Sequence, residues 1–85
     1  MEDVFIVYAI RSRKDNRIYV GFSSDVSRRL LEHNSGKTRS TKGFRPWDLV
    51  YQESVSGRLN AREREKYLKS GTGKEFLKTL LGPNG

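Results

Sequence analysis

Cysteine is absent from the 85 residues. That excludes a disulfide framework and a thiolate zinc site. Histidine occurs once, so no His-rich metal centre can form. Carboxylates are the metal ligands left in supply, which points to Mg2+ or Mn2+ if a cation is bound. No apolar run approaches the length of a membrane span. The start, Met1-Glu2-Asp3, is acidic and lacks the pattern of a secretory leader, so a soluble cytoplasmic protein is expected. There is no internal repeat and no low-complexity segment. Residues 1–85 read as a single small domain, with a core over about 4–81 and a flexible tail at 82–85.

Negative charge is also scarce in one region. The chain nets +7, and its distribution says more than its sum. Between Arg11 and Arg45 there are ten Lys/Arg against three Asp/Glu, whereas the rest has seven of each. The whole excess lies in one continuous stretch. A solvated surface would account for it, but the concentration favours an electrostatic footprint for nucleic acid.

Periodicity gives the element order. Val4 to Ile10 is a short, β-rich apolar run and reads as a strand covered on both faces. Asp15-Asn16 supplies turn chemistry, and Arg17 to Gly21 reads as the second strand of an antiparallel hairpin. Ser23-Ser24-Asp25 offers N-caps for a helix running to about His33, with Val26, Leu30 and His33 on one side. Ser35 to Arg45 reads as a basic loop, mobile unless it holds a partner. Pro46 opens a third strand, Trp47 to Gln52. A charged helix follows to Lys69, and Thr72-Gly73-Lys74-Glu75 fits a capping box for a last helix. The expected fold is α/β (α+β), in the order β-β-α-β-α-α, with a small three-stranded antiparallel sheet flanked by helices.

Three groups of residues carry chemistry. Tyr8 and Tyr19 come from neighbouring strands of the hairpin. A tyrosine can accept a proton or attack a phosphodiester if nearby positive charge lowers its pKa from about 10. Packing is the plainer role for a strand tyrosine. Arg28 and Arg29 offer bidentate phosphate contact. Adjacent helix positions differ by about 100°, so one can face a cleft while the other faces solvent. His33 lies four residues after Arg29 on the same face, placed either to serve a phosphate or proton, or to cap the helix end. Glu63 and Glu65 are the candidate metal carboxylates, on different stripes of one helix, and periodicity does not choose between them.

Together these features resemble the GIY-YIG nuclease superfamily, close to its short stand-alone bacterial members. The bacterial excision-repair incision subunit and the structure-specific branched-DNA nucleases carry related domains. Ile6-Val7-Tyr8 matches the GIY triplet with Ile for Gly, and Tyr19-Val20-Gly21 matches YIG with Val for Ile. Asp25 to Asn34 resembles the first-helix pattern, in which the functional arginine immediately precedes an apolar residue; that selects Arg29. Ala61 to Lys69 resembles the helix bearing the metal-binding glutamate, in a register that selects Glu65. Phe22 stands where the repair-subunit domains carry a lysine.

The resemblance implies a metal-dependent DNA endonuclease of the GIY-YIG fold. Glu65 would hold Mg2+ or Mn2+. Tyr8 would be the general base for an attacking water, with Tyr19 positioning that water or the metal shell, and these two roles are interchangeable at this level. Arg29 would neutralise charge on the scissile phosphate, and His33 would contact the phosphate or assist proton transfer. Arg28, Lys37, Arg39, Lys42 and Arg45 would hold the backbone. The match covers nearly the whole chain, so no second DNA-reading domain is expected. Specificity would come from DNA structure (branches, flaps or nicks) or from a protein partner, in DNA repair or recombination, with RNA left open as a substrate. The rival from another class is a nucleic-acid-binding module that keeps the fold without cutting.

Overall fold

A computed structural model describes residues 3–81. The elements run β1 (Val4–Ser12), β2 (Ile18–Ser23), α1 (Val26–Ser35), α2 (Arg39–Lys42), β3 (Trp47–Ser56), α3 (Arg58–Lys69) and α4 (Gly71–Leu81). The expected tail at 82–85 lies outside the described residues.

The apolar run at the start becomes the middle strand. The sheet order is β2-β1-β3, and both neighbours pair antiparallel to β1. Burial on both faces follows from that position. On one face Val7, Ala9 and Val20 pack against Ala61 and Leu68 of α3 and Leu77 of α4. On the other, Tyr8 and Ile10 pack with Trp47, Val26 and Leu30, beneath α1. Burying Leu68 and Leu77 contributes about 1.5–3 kcal/mol each. Among the described residues no helix is long and apolar enough to cross a membrane.

Local chemistry sets the connections. Asn16 takes a positive φ of 65° in the β1–β2 turn, a conformation asparagine tolerates. Asp25 caps α1, its side chain accepting the Arg28 N–H at 3.1 Å. The helix runs two residues past His33, until Gly36 turns it off at φ 86°.

Three expectations change. The third strand does not end at Gln52 but runs to Ser56, because Glu53 to Ser56 stay paired with Val7 to Val4 of β1. The basic stretch Ser35 to Arg45 is not featureless: it contains the short helix α2, which inserts a seventh element into the expected order. It is pinned because Thr41 is fully buried and its carbonyl accepts the Trp47 indole N–H at 2.9 Å. Asn34 secures the same corner, bonding both the N–H and the carbonyl of Trp47. The capping box at Thr72 also does not form. The helix α4 begins at Gly71, and Ser70 caps it by accepting the Gly73 N–H at 3.2 Å. Close packing of α4 on α3 decides this start.

That packing depends on a glycine. A Cβ at Gly73 would lie 2.5 Å from the Leu68 Cα, whereas one at Gly71 would meet nothing within 4 Å. Gly73→Ala is therefore expected to destabilise the fold by about 1–3 kcal/mol, as overpacking does. Gly71→Ala should be neutral or stabilising by roughly 0.4–1 kcal/mol. Urea unfolding midpoints of the two variants check the contrast.

Candidate active site

Sheet register brings the two tyrosines together. Tyr8 pairs with Gly21 and Ile10 with Tyr19, so Tyr8 and Tyr19 are diagonal neighbours on one face. Gly21 makes this arrangement fit. A Cβ there would lie 2.8 Å from the Tyr8 hydroxyl and 3.4 Å from the Tyr19 ring. The Tyr8 ring thus occupies the space that a side chain on β2 would fill.

The helix α1 supplies the next groups. His33 is fully buried, with its Nε2 3.0 Å from the Tyr8 hydroxyl and its Nδ1 2.8 Å from the Thr41 hydroxyl. Its ring packs edge-on to Tyr19 at 5.0 Å between centroids. Burial removes it from direct contact with a phosphate in solvent. Arg28 and Arg29 diverge as helix geometry requires. The Arg28 side chain is 78% exposed and that of Arg29 is 34% exposed. Arg29 Nη1 donates to Glu32 at 2.8 Å, while Arg28 sits 3.5 Å from the same carboxylate. The two arginines hold the Glu32 carboxyl below its usual range, the Arg29 hydrogen bond contributing most.

Charge and burial act in opposite senses on Tyr8. Burial pushes its pKa up to about 12, Tyr19 and Glu65 add to the rise, and the Arg29 guanidinium opposes it. The condition set for a basic tyrosine, a pKa lowered by nearby positive charge, is therefore not met: desolvation outweighs Arg29. Tyr8 is a neutral phenol rather than a standing phenolate. Burial, assisted by Arg29, pushes His33 below its ordinary value, so the imidazole is neutral at neutral pH.

The two glutamates separate. Glu63 is exposed, whereas Glu65 is partly buried and its charge is felt at Tyr8. Glu65 Oε2 lies 3.6 Å from Lys69 Nζ, which itself stands 6.0 Å from the Tyr19 ring centre. Among the described residues, no three His, Cys, Asp or Glu side chains cluster to form a metal cage. A lone carboxylate with hard oxygen chemistry fits Mg2+ or Mn2+, which take few protein ligands and complete their shells with water and phosphate.

Lys37, Arg39, Lys42 and Arg45 are all exposed, and none forms an ion pair among the described residues. Lys42 and Arg45 line a surface cavity of about 400 Å³ together with Asn34 and Lys14. Lys14, Glu32, Thr41 and Lys69 reach the site or its margin without having been picked out from sequence. Lys14 belongs to the counted charge excess. Thr41 had no local signal, because its contact with His33 depends on how α2 folds back.

The fold brings the two tyrosines, Arg29, His33 and Glu65 into one neighbourhood. A family model of the GIY-YIG catalytic domain matches residues 4–78, and the chain belongs to that family. The family is in general one of endonucleases acting on nucleic acid with a divalent metal. Within it the chain is similar to small UPF0213 proteins. It is 37% identical to one from Staphylococcus epidermidis over 92% of this chain and 95% of that one. It is 38% identical to another from Haloquadratum walsbyi over 85% and 81% of the respective chains. The solution NMR structure of a UPF0213 protein from Bacillus halodurans aligns with a TM-score of 0.56 at 32% identity, covering 94% of this chain and 87% of that one.

Buried neutral His33 couples stability to pH. Its folded pKa lies below the ordinary 6.5, so the unfolded chain takes up the proton first as pH falls. Stability should decline from about pH 6.5 downward until the folded-state histidine protonates. Urea midpoints measured from about pH 7 to pH 5 should fall more steeply for the wild type than for His33→Gln.

Proposed function

We propose that the chain is a cytoplasmic, divalent-metal-dependent DNA endonuclease whose catalytic module is the described domain, acting in DNA repair or recombination. The observation that carries this reading is the buried hydrogen bond between the Tyr8 hydroxyl and His33 Nε2, 3.0 Å long, beside Arg29 and Glu65. A phenol with a pKa near 12 is a poor standing base. It becomes an effective one when its own proton has somewhere to go. Tyr8 accepts a proton from water as it passes its phenolic proton to His33 Nε2. The water oxygen attacks phosphorus, the bond to the 3′ oxygen breaks, and the leaving oxygen takes a proton from solvent. Tyr19 orients the water.

Arg29 exchanges Glu32 for the scissile phosphate and neutralises its developing charge. Glu65, rather than exposed Glu63, would hold Mg2+ or Mn2+. The metal, when bound, polarises the phosphate and stabilises the leaving oxygen. The exposed cations Lys37, Arg39, Lys42 and Arg45, with Arg28, hold the backbone. Backbone contacts carry no sequence information, so selectivity falls to branched, flapped or nicked DNA, or to a protein partner that presents it.

End-labelled single-stranded, duplex, nicked, flapped and four-way-junction DNA, with Mg2+ or Mn2+ against EDTA, tests this. Low salt keeps backbone affinity high. Metal-dependent cutting is expected on at least one branched or interrupted substrate. Arg29→Ala should reduce it by about 10²–10³-fold. Glu65→Gln should abolish it, and Glu63→Gln should not. Binding without cutting on every substrate would replace this reading with that of a nucleic-acid-binding module.

A further inference from the structure

Thr41 lies in the basic segment between α1 and β3, outside every motif of the family pattern described above. It is nonetheless among the most buried residues, at 0% exposure. Its hydroxyl stands 2.8 Å from His33 Nδ1 and donates to the Thr38 carbonyl at 3.3 Å. A hydroxyl has one proton. With that proton directed at Thr38, Thr41 Oγ1 faces His33 as an acceptor. The Nδ1 of His33 must then carry the imidazole hydrogen, and Nε2 must present its lone pair to Tyr8. The opposite tautomer would require the Thr41 hydroxyl to give up Thr38 and donate to Nδ1, and would turn the Tyr8 hydroxyl proton away from Nε2, its one hydrogen-bond partner among the described residues.

We infer that Thr41 is a positioning residue for proton transfer: it holds His33 in the Nδ1–H tautomer, so that Nε2 is free to receive the proton of Tyr8. The inference rests on the proposed nuclease reading for its catalytic meaning, though its structural content stands without it. The same geometry serves both protonation states. When Nε2 gains the proton, Nδ1–H still donates to Thr41, so no group rotates during the step. Two further bonds fix the hydroxyl donor and its helix. The Thr41 carbonyl accepts the Trp47 indole N–H at 2.9 Å, and the Thr41 N–H donates to the Thr38 carbonyl at 3.2 Å. The charged or titratable groups around His33 are Tyr8 on β1, Tyr19 on β2, and Arg29 and Glu32 on α1. None of them contacts Nδ1, so Thr41 is the group placed to choose the tautomer.

The chain has a single histidine, which makes the test direct. Long-range ¹⁵N–¹H correlation on histidine-labelled protein reads the tautomer of His33 with no variant at all. The Nδ1–H form is expected in the wild type, and a predominant Nε2–H form overturns the inference. Thr41→Val keeps the shape and removes the acceptor. It should shift the tautomer populations toward Nε2–H, and Thr41→Ser should restore the wild-type spectrum. In cleavage assays Thr41→Val should lower kcat by about 10- to 100-fold with little change in KM. Its acid limb should move to lower pH, because an imidazolium deprived of its acceptor is less favoured. Thr41→Ser should recover both. A Thr41→Val protein with the wild-type tautomer and pH profile would overturn the inference. If no substrate is cut, the nuclease reading fails while the NMR result still decides the role of Thr41.

Discussion

The hydrogen bond between Tyr8 and His33 connects the parts of the molecule that would otherwise be independent. Tyr8 sits on the central strand, almost wholly buried, and a buried phenol needs a polar partner. That partner is an imidazole from α1, equally buried, which needs a partner of its own. Thr41 of α2 provides it, and the Trp47 indole at the start of β3 holds Thr41. A chain of satisfied polar groups therefore runs from β1 through α1 and α2 to β3. Among the described residues no buried side-chain nitrogen or oxygen is left unpaired. Removing any member would orphan the next, at a cost greater than the bond itself contributes. The room for all this comes from Gly21, whose missing side chain is the space the Tyr8 ring fills.

Around this buried line the charges divide into two populations. Some are committed within the fold. Glu53 accepts two hydrogen bonds from Arg64, at 3.0 and 2.9 Å, and one from the Tyr51 hydroxyl, which ties α3 to β3. That forked pair keeps the Glu53 carboxyl below its usual range and anchors the helix that carries Glu65. Others are held loosely and can be exchanged. Glu32 partners both Arg28 and Arg29 at the mouth of the site, where a phosphate would compete for the same guanidinium. The cations of the α2 region have no carboxylate partner among the described residues. Release of their counterions would favour nucleic-acid binding.

Much of the architecture was legible because it follows from short-range rules. The apolar β-rich run, the Asn16 turn, the Asp25 cap and the Gly36 stop all act within a few residues of themselves. Adjacent arginines had to diverge, and they do. The capping box at Thr72 failed for a tertiary reason. Gly73 must lie against the Leu68 backbone, so α4 starts earlier and Ser70 takes the cap. The basic stretch looked unstructured because its ordering residue, Thr41, has no apolar neighbours in sequence. Its partners are His33, eight residues back, and Trp47, six ahead.

Residue order alone determined the chemistry available: no thiolate, one imidazole, tyrosines on paired strands, a capped helix with two arginines, and a charge excess in one stretch. It also determined the family, because spacing of those groups is a local property of the chain. Tertiary structure decided their states. Burial, which sequence does not report, raised the Tyr8 pKa where positive charge alone would have lowered it. Helix packing separated partly buried Glu65 from exposed Glu63, two residues apart on different faces. The fold-back of α2 set a threonine against a histidine and so gave direction to the proton path. Desolvation and hydrogen-bond geometry depend on what surrounds a group in space, and that is settled only when the elements pack.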